Sequence, residues 1–271
     1  EREQAFVFEQ VSAQPVPSLL RNFSAPVRLK TATSEQDLQV LISGDDDDFV
    51  RWDAFQRYAT QVIDAAAEGQ TVAPGFIEAY RAALESDIEP AVKAQLLTLP
   101  SEDYLADLAA SRGAVDVFSI RRARESVKRE LAETFAQHWL MLYEQLASTE
   151  SYAAEGRQIG ARALRHLALE YLGCREQGAQ GLAQQLLSSA DNLTDRLAAL
   201  RLLVHRTGGD IAQRAVEAFY ERWQDEALVV NQWFTLQALT PGDEAVDRVS
   251  ALLEHPAFDW RNPNKVRAVM G

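Results

Sequence analysis

Residues 120–146 read IRRARESVKRELAETFAQHWLMLYEQL, and their apolar positions decide the fold class. Ile120, Ala123, Val127, Leu131, Phe135, His138, Leu142 and Leu146 follow at steps of three or four. That spacing holds side chains on one face of a 3.6-residue helix. The stripe is continuous, so the segment predicts one long helix packed against other helices over its whole length. Between its members lie Arg121, Arg122, Arg124, Lys128 and Arg129, alternating with Glu125, Glu130 and Glu133. Opposite charges at helical spacing read as a salt-bridged, solvated face.

The same period extends in both directions. Towards the C-terminus, Ile159, Ala163, Leu167 and Tyr171 form a face closed by Gly173. Leu193, Leu197, Leu200 and Val204 form another, ended by Gly208-Gly209. Ile211, Ala215, Phe219 and Trp223 follow, then Val229, Trp233 and Leu236, then Val249, Leu252 and Leu253. Asn262 as cap and Pro263 in the first turn open a last helix. Towards the N-terminus, short helices are expected at Ser101–Leu108 and Ala91–Leu97, and one follows Pro74 with Phe76, Tyr80, Ala83 and Leu84. Phe49, Trp52, Phe55, Ala59 and Val62 mark a face behind Asp45–Asp48, and Ser34 opens a helix that stops at Gly44.

About ten helices on short loops predict a mainly α fold, a superhelical, α-solenoid-like array of stacked antiparallel helices. No strict period marks a regular repeat. The first thirty or so residues differ. Phe6-Val7-Phe8, Gln14-Pro15-Val16-Pro17 and Ser18 to Leu29 are short apolar pieces bounded by prolines, which forbid a continuous helix and suit edge strands and turns. Two or three strands are expected here, too few to bury a core alone. The domain boundary is accordingly placed between 1–32 and 33–271.

Charge and cysteine usage narrow the function. With 27 basic and 40 acidic residues the net charge is −13. Such a field repels phosphate and argues against nucleic acid. Cys174 is the only cysteine, so no internal disulfide can form, which fits a reducing, cytoplasmic setting. No apolar run approaches the roughly 18 residues of a membrane span, so no membrane partner is expected. Glu1-Arg2-Glu3-Gln4 is no signal-peptide start.

The polar residues yield little chemistry. His138, His166, His205 and His255 are scattered, and no His-Glu-x-x-His spacing exists to hold zinc. His138 lies on the apolar stripe and reads as a partly buried, hydrogen-bonded side chain. His205 and His255 fall near helix C-termini, where the dipole favours imidazolium. His166, beside Arg165, is placed on a solvated edge. Asp45-Asp46-Asp47-Asp48 could suggest calcium, yet the alternate ligands, central Gly and closing Glu of an EF-hand loop are absent. Helix capping explains the run. Glu217 and Glu221 are ordinary helical neighbours. No Gly-x-Ser-x-Gly or phosphate-binding glycine loop appears, and Cys174 has no histidine nearby in sequence.

A family resemblance rests on an ordered set of short matches. Phe6-Val7-Phe8-Glu9, Gln14-Pro15-Val16-Pro17-Ser18-Leu19-Leu20 and Phe23-Ser24-Ala25-Pro26-Val27 resemble the closing strands of the small β-sandwich of bacterial-type aminopeptidase N. Asp48-Phe49-Val50-Arg51-Trp52-Asp53-Ala54 is similar to the start of that family's helical domain. Ile88-Glu89-Pro90-Ala91, Leu97-Thr98-Leu99-Pro100-Ser101, Leu228-Val229-Val230, Trp233-Phe234-Thr235-Leu236-Gln237-Ala238 and Asn262-Pro263-Asn264-Lys265-Val266-Arg267 continue the series.

The resemblance implies a piece of a zinc metallo-aminopeptidase of the gluzincin type. It would start inside the β-sandwich and end partway through the helical domain. That family's zinc-binding helix, its second zinc-binding Glu, its N-terminus-recognising Glu and its transition-state Tyr have no matching positions here. The resemblance therefore implies a non-catalytic segment without its own cofactor, zinc belonging to a catalytic domain elsewhere in the parent. Its partners would be the catalytic and β-sandwich domains of the same chain, with peptides as the parent's substrate. The helical domain would cap the active site and restrict access, and Arg267 would face the substrate cavity. A free-standing helical scaffold that binds a protein on a concave face is the alternative.

Overall fold

A computed structural model describes residues 4–27, 29, 31–148, 150–175 and 179–271. The chain divides into two compact units, Glu1–Glu130 and Leu131–Gly271. Among the described residues the regular structure is entirely helical.

The first unit contains α1 (Glu35–Gly44), α2 (Asp48–Ala67), α3 (Pro74–Glu85), α4 (Pro90–Leu96), α5 (Glu102–Ala110) and most of α6 (Val117–Thr134). Their starts follow local chemistry. Ser34 accepts from the Asp37 amide at 3.2 Å while Asp37 accepts from the Ser34 amide at 3.0 Å, a reciprocal capping box. Asp47 Oδ1 accepts from the Val50 amide at 2.9 Å and caps α2, as the aspartate run suggested. Pro74 and Pro90 occupy first turns, where a missing N–H costs nothing. Leu38, Ile42, Phe55, Tyr58, Phe76 and Tyr80 fill the core. The rings of Tyr58 and Phe76 meet edge to face at 5.2 Å, and the Tyr80 hydroxyl donates to the Leu97 carbonyl at 3.1 Å.

The strands expected between residues 6 and 29 do not form among the described residues; Glu1–Glu3 and Arg28 lie outside them. A strand exists by pairing, and among the described residues no second extended segment offers its backbone to this one. Phe6, Val7 and Phe8 are exposed, and a 3-10 turn at Arg21–Phe23 is the only regular structure among the segment's described residues.

The second unit holds the end of α6, then α7 (Ala136–Gln145), α8 (Gly156–Leu172), α9 (Gln180–Ser189), α10 (Leu193–Leu202), α11 (Gly209–Trp223), α12 (Ala227–Ala238), α13 (Ala245–Leu253) and α14 (Pro263–Met270). Sequence neighbours pair, α7 with α8, α9 with α10, and α12 with α11 and α13, and α14 returns past α13 to pack on α12. The single long helix expected over 120–146 is two, divided at Phe135, which has φ −110° and ψ 24°. The backbone ladder continues across the joint, from the Phe135 amide to Leu131 O and from the Trp139 amide to Phe135 O. Trp139 Nε1 also reaches Leu131 O, at 3.4 Å, so a side chain shares a ladder carbonyl next to the break.

Two glycine positions shape this unit. At Gly173 an added Cβ would lie 2.7 Å from Leu202 Cδ1, so a side chain at the end of α8 would require Leu202 of α10 to shift. A π turn at Leu203–Thr207 extends α10 and halts at Gly208 and Gly209, with φ of 66° and 65°, a region that glycine enters without strain. The α8 face is rotated from its expected register. Ile159 is exposed, and Gly160, Leu164, Leu167, Ala168 and Tyr171 are buried.

Candidate functional site

Arg267, the residue singled out by resemblance, lies on α14. Asn262 accepts from the Asn264 amide at 3.0 Å and starts that helix, with Pro263 in its first turn. Val269 is buried against the second unit's core, and Lys265 Nζ donates to Ala257 O while lying 5.8 Å from the Phe234 ring centre. These contacts fix the helix and leave Arg267 on its exposed side. Among the described residues the guanidinium meets only Asn264 Oδ1, at 3.5 Å, the outer limit of a hydrogen bond.

Beneath α14 is an aromatic cluster. His255 lies 5.0 Å from Tyr220 and 5.1 Å from Trp233, ring centre to ring centre, and its Nδ1 accepts from the Ala257 amide at 3.1 Å. Burial pushes its pKa down, and the Lys265 cation adds to that. His205 behaves similarly. Its Nε2 is 2.8 Å from Leu236 O, which can only accept, so Nε2 carries the proton. Burial lowers the His205 pKa more than this hydrogen bond raises it, with Arg201 and Arg206 lowering it further. The imidazolium expected at these two positions from the helix dipole is thus disfavoured, because desolvation outweighs the dipole.

A stability consequence follows with a definite sign. Both histidines bind protons less readily folded than unfolded, so their contribution is full above the unfolded value, near 6.5, and is lost as pH falls below it. The protein should unfold at lower urea concentration at pH 5.5 than at pH 7.5. His205→Gln, which keeps a donor for Leu236 O, should flatten that difference. An unchanged slope in the variant would remove His205 as its source.

His166 is not on a solvated edge. Its Nε2 pairs with Asp195 Oδ1 at 2.5 Å, and the two side chains are 17% and 12% exposed. Asp195 Oδ2 also accepts from Asn192 Nδ2 at 2.9 Å, while Asn192 Oδ1 caps α10 through the Asp195 amide. Desolvation raises the Asp195 pKa, but the His166 and Asn192 hydrogen bonds, with the charges of His166 and Arg165, outweigh it and hold the carboxyl below the ordinary range. Beside this pair is a cavity of about 200 Å³ whose walls include Tyr152, Gln158, Arg162, Arg165, Asp191 and Asp195. Arg162 stacks over the Tyr152 ring at 4.7 Å and Arg165 over the Tyr143 ring at 4.4 Å. Acids and bases both line it, and each arginine also donates to a backbone carbonyl. The arrangement ties Tyr152 and Ala153 to α8 and to the turn before α10. Periodicity gave no hint of it, since Asp195 and His166 are 29 residues apart.

His138 packs its ring 6.0 Å from Phe135, as a partly buried histidine should. Among the described residues no three of His, Cys, Asp and Glu converge to hold a metal ion. The donor set here does not fit zinc. No helix among the described residues is long and apolar enough to cross a membrane.

The helix pairs match a known architecture. A family model described as "Domain of unknown function (DUF3458_C) ARM repeats" covers residues 35–271. The chain belongs to the DUF3458_C family. A companion model, DUF3458 with an Ig-like fold, matches residues 1–32, the segment in which strands were expected. This DUF3458_C chain is 35% identical to aminopeptidase N of Escherichia coli (strain K12) over 277 residues, covering 99% of the chain and 31% of the relative. Aminopeptidase N of Caulobacter vibrioides is 35% identical over 97% of the chain and 31% of its own length. A crystal structure of Legionella pneumophila aminopeptidase A in complex with aspartic acid superposes with a TM-score of 0.85 at 28% identity, covering 97% of this chain and 32% of that one. The resemblance read from the residues is therefore borne out. The chain matches the C-terminal helical domain of aminopeptidase N and spans about a third of the length of these relatives.

Proposed function

We propose that this chain is the non-catalytic C-terminal portion of a zinc metallo-aminopeptidase, a cytoplasmic hydrolase that removes N-terminal residues from peptides. Residues 1–32 correspond to the terminal strands of a β-sandwich, which pair only when the rest of the sandwich supplies their partners, and residues 33–271 are a helical domain that caps the active site and restricts access to it. The observation that carries this reading is the collinear match to aminopeptidase N at 35% identity over 99% of the chain. Catalysis and zinc binding belong to a separate domain of the parent, so the partners of this portion are the catalytic and β-sandwich domains and the peptide substrate. A net charge of −13 supports the exclusion of nucleic acid, and the lack of an apolar spanning helix among the described residues supports the exclusion of a membrane role.

Arg267 is assigned to the substrate cavity, where its guanidinium meets the backbone or carboxyl end of a peptide. Its exposure and single marginal hydrogen bond support the assignment, because the donors are available. The purified chain should hydrolyse no alanyl anilide and retain no stoichiometric zinc after gel filtration. Turnover that a chelator abolishes would overturn the reading. In the full-length enzyme, Arg267→Ala should raise KM for a tetrapeptide several-fold and leave an alanyl anilide unaffected, as loss of one charged hydrogen bond to a longer substrate requires. Equal kinetics for both substrates would remove Arg267 from the cavity.

A further inference from the structure

The turn at Arg21–Phe23 lies against the corner between α1 and α2, and its contacts use the aspartate run beyond what capping needs. Arg21 Nη1 meets Asp45 Oδ1 at 3.1 Å and Nη2 meets Asp46 Oδ1 at 2.5 Å, so one guanidinium spans two carboxylates. The Asn22 amide donates to Asp47 Oδ2 at 2.8 Å, the oxygen left over when Oδ1 caps α2. Asp45 Oδ1 also accepts from the Asp47 amide at 2.8 Å, which links the carboxylates into one unit. Beside the ions, the Phe23 ring packs on Phe49 at 5.0 Å, and Phe49 on Trp52 at 5.9 Å.

The backbone of this turn is strained. Leu20, Asn22 and Phe23 have φ of 55°, 53° and 52°, in the left-handed region that non-glycine residues avoid. Such conformations persist only where the surroundings over-determine them. Here the surroundings are the three aspartates and one ring. The ionic half is partly open to solvent, with the Arg21 side chain 43% and that of Asp46 86% exposed, so salt can reach it.

We propose that Leu20–Phe23 is an electrostatic latch that fastens the N-terminal segment to the α1–α2 corner. Arg21 is its key, and the strained backbone favours release once the charges are screened. Ionic strength therefore sets how firmly residues 4–27 are held, while α2 keeps its own cap through Asp47 Oδ1. This concerns contacts within the first unit and stands independently of the proposed aminopeptidase role.

The test is hydrogen exchange resolved at the Asn22 and Ser24 amides in the full 271-residue chain. Exchange should quicken at least about threefold between 0.1 M and 1 M NaCl, over which the screening length falls from about 10 Å to 3 Å. Arg21→Glu should show the fast rate at both salt concentrations. Arg21→Lys, which keeps the charge, should retain slow, salt-sensitive exchange, whereas Arg21→Gln, of similar size but uncharged, should exchange fast, which a merely steric role for Arg21 would not permit. Amides of α3 report folding throughout. If Arg21→Glu fails to fold, the salt series on the unaltered chain decides. Salt-independent exchange at Asn22, or exchange in Arg21→Gln as slow as in the unaltered chain, would overturn the latch.

Discussion

Replacing Trp139 by alanine is expected to destabilise the protein by about 3–5 kcal/mol, the range for removing a large buried aromatic side chain. Trp139 is 0% exposed, so the whole indole would leave a cavity behind. Its ring stacks on Tyr171 with centres 4.3 Å apart and planes inclined by 1°, which joins α7 to α8. Such a pair contributes roughly 0.5–1.5 kcal/mol beyond area burial. The indole N–H donates to Leu131 O at 3.4 Å, a carbonyl already used by the Phe135 amide, so losing it strands no acceptor. The cost is therefore one of packing. Trp139→Phe should recover most of it, and the melting temperature of the alanine variant should drop by roughly 10 °C. Urea denaturation followed by far-ultraviolet circular dichroism measures both. A loss under about 1 kcal/mol for the alanine variant would show that the α7–α8 contact can collapse onto the space.

Trp139 also shows why the sequence exposes some features and conceals others. The stripe from Ile120 to Leu146 identified a helical, buried segment, because a 3.6-residue period is a property of neighbouring residues. The break at Phe135 is not periodic: the apolar steps run straight through it, and only the indole's reach back to Leu131 O marks the place. Ser34, Asp47 and Asn262 were legible as caps, since capping is decided within three residues. The helix α9 escaped notice. It is short, rich in glutamine, has Ala179 where a polar cap would signal a start, and buries only Ala183 and Leu186. Ile159 shows the converse, an apolar residue whose period fits a stripe that faces solvent.

Polar chemistry was less legible for the same reason. Asp45–Asp48 was visible as a cap, but its second partner, Arg21, is 24 to 25 residues away. His205 and His255 were read from the helix dipole, a local effect of modest size, whereas their state is governed by burial that only tertiary packing supplies. Arg267 came from resemblance alone, and the structure adds its exposure and the anchoring of α14 beneath it.

Asp195→Ala should cost about 2–3 kcal/mol, somewhat below the roughly 3–5 kcal/mol for breaking a fully buried ion pair, because both partners keep some solvent contact. Two bonds vanish together: Oδ1 to His166 Nε2 on α8, and Oδ2 to Asn192 Nδ2 at the head of α10. The cap itself survives, since Asn192 Oδ1 accepts from the backbone amide of residue 195 whatever its side chain. A thermodynamic cycle with His166→Gln isolates the pair, and contacting residues of this kind couple by roughly 0.5–3 kcal/mol. Coupling indistinguishable from zero would mean that the Asn192 contact accounts for the whole loss. The acid limb of the stability curve provides a separate check. The folded carboxyl titrates below its unfolded value near 3.9, so its contribution is complete above that pH and disappears as pH falls through the lower folded value. Asp195→Ala should therefore reduce the steepness of acid unfolding below about pH 4 while leaving the histidine-driven slope between pH 7.5 and 5.5 in place. His205→Gln should do the reverse. If one substitution altered both limbs, α10 and its π turn would unfold as a unit, since Asp195 and His205 lie on the same continuous run of helix.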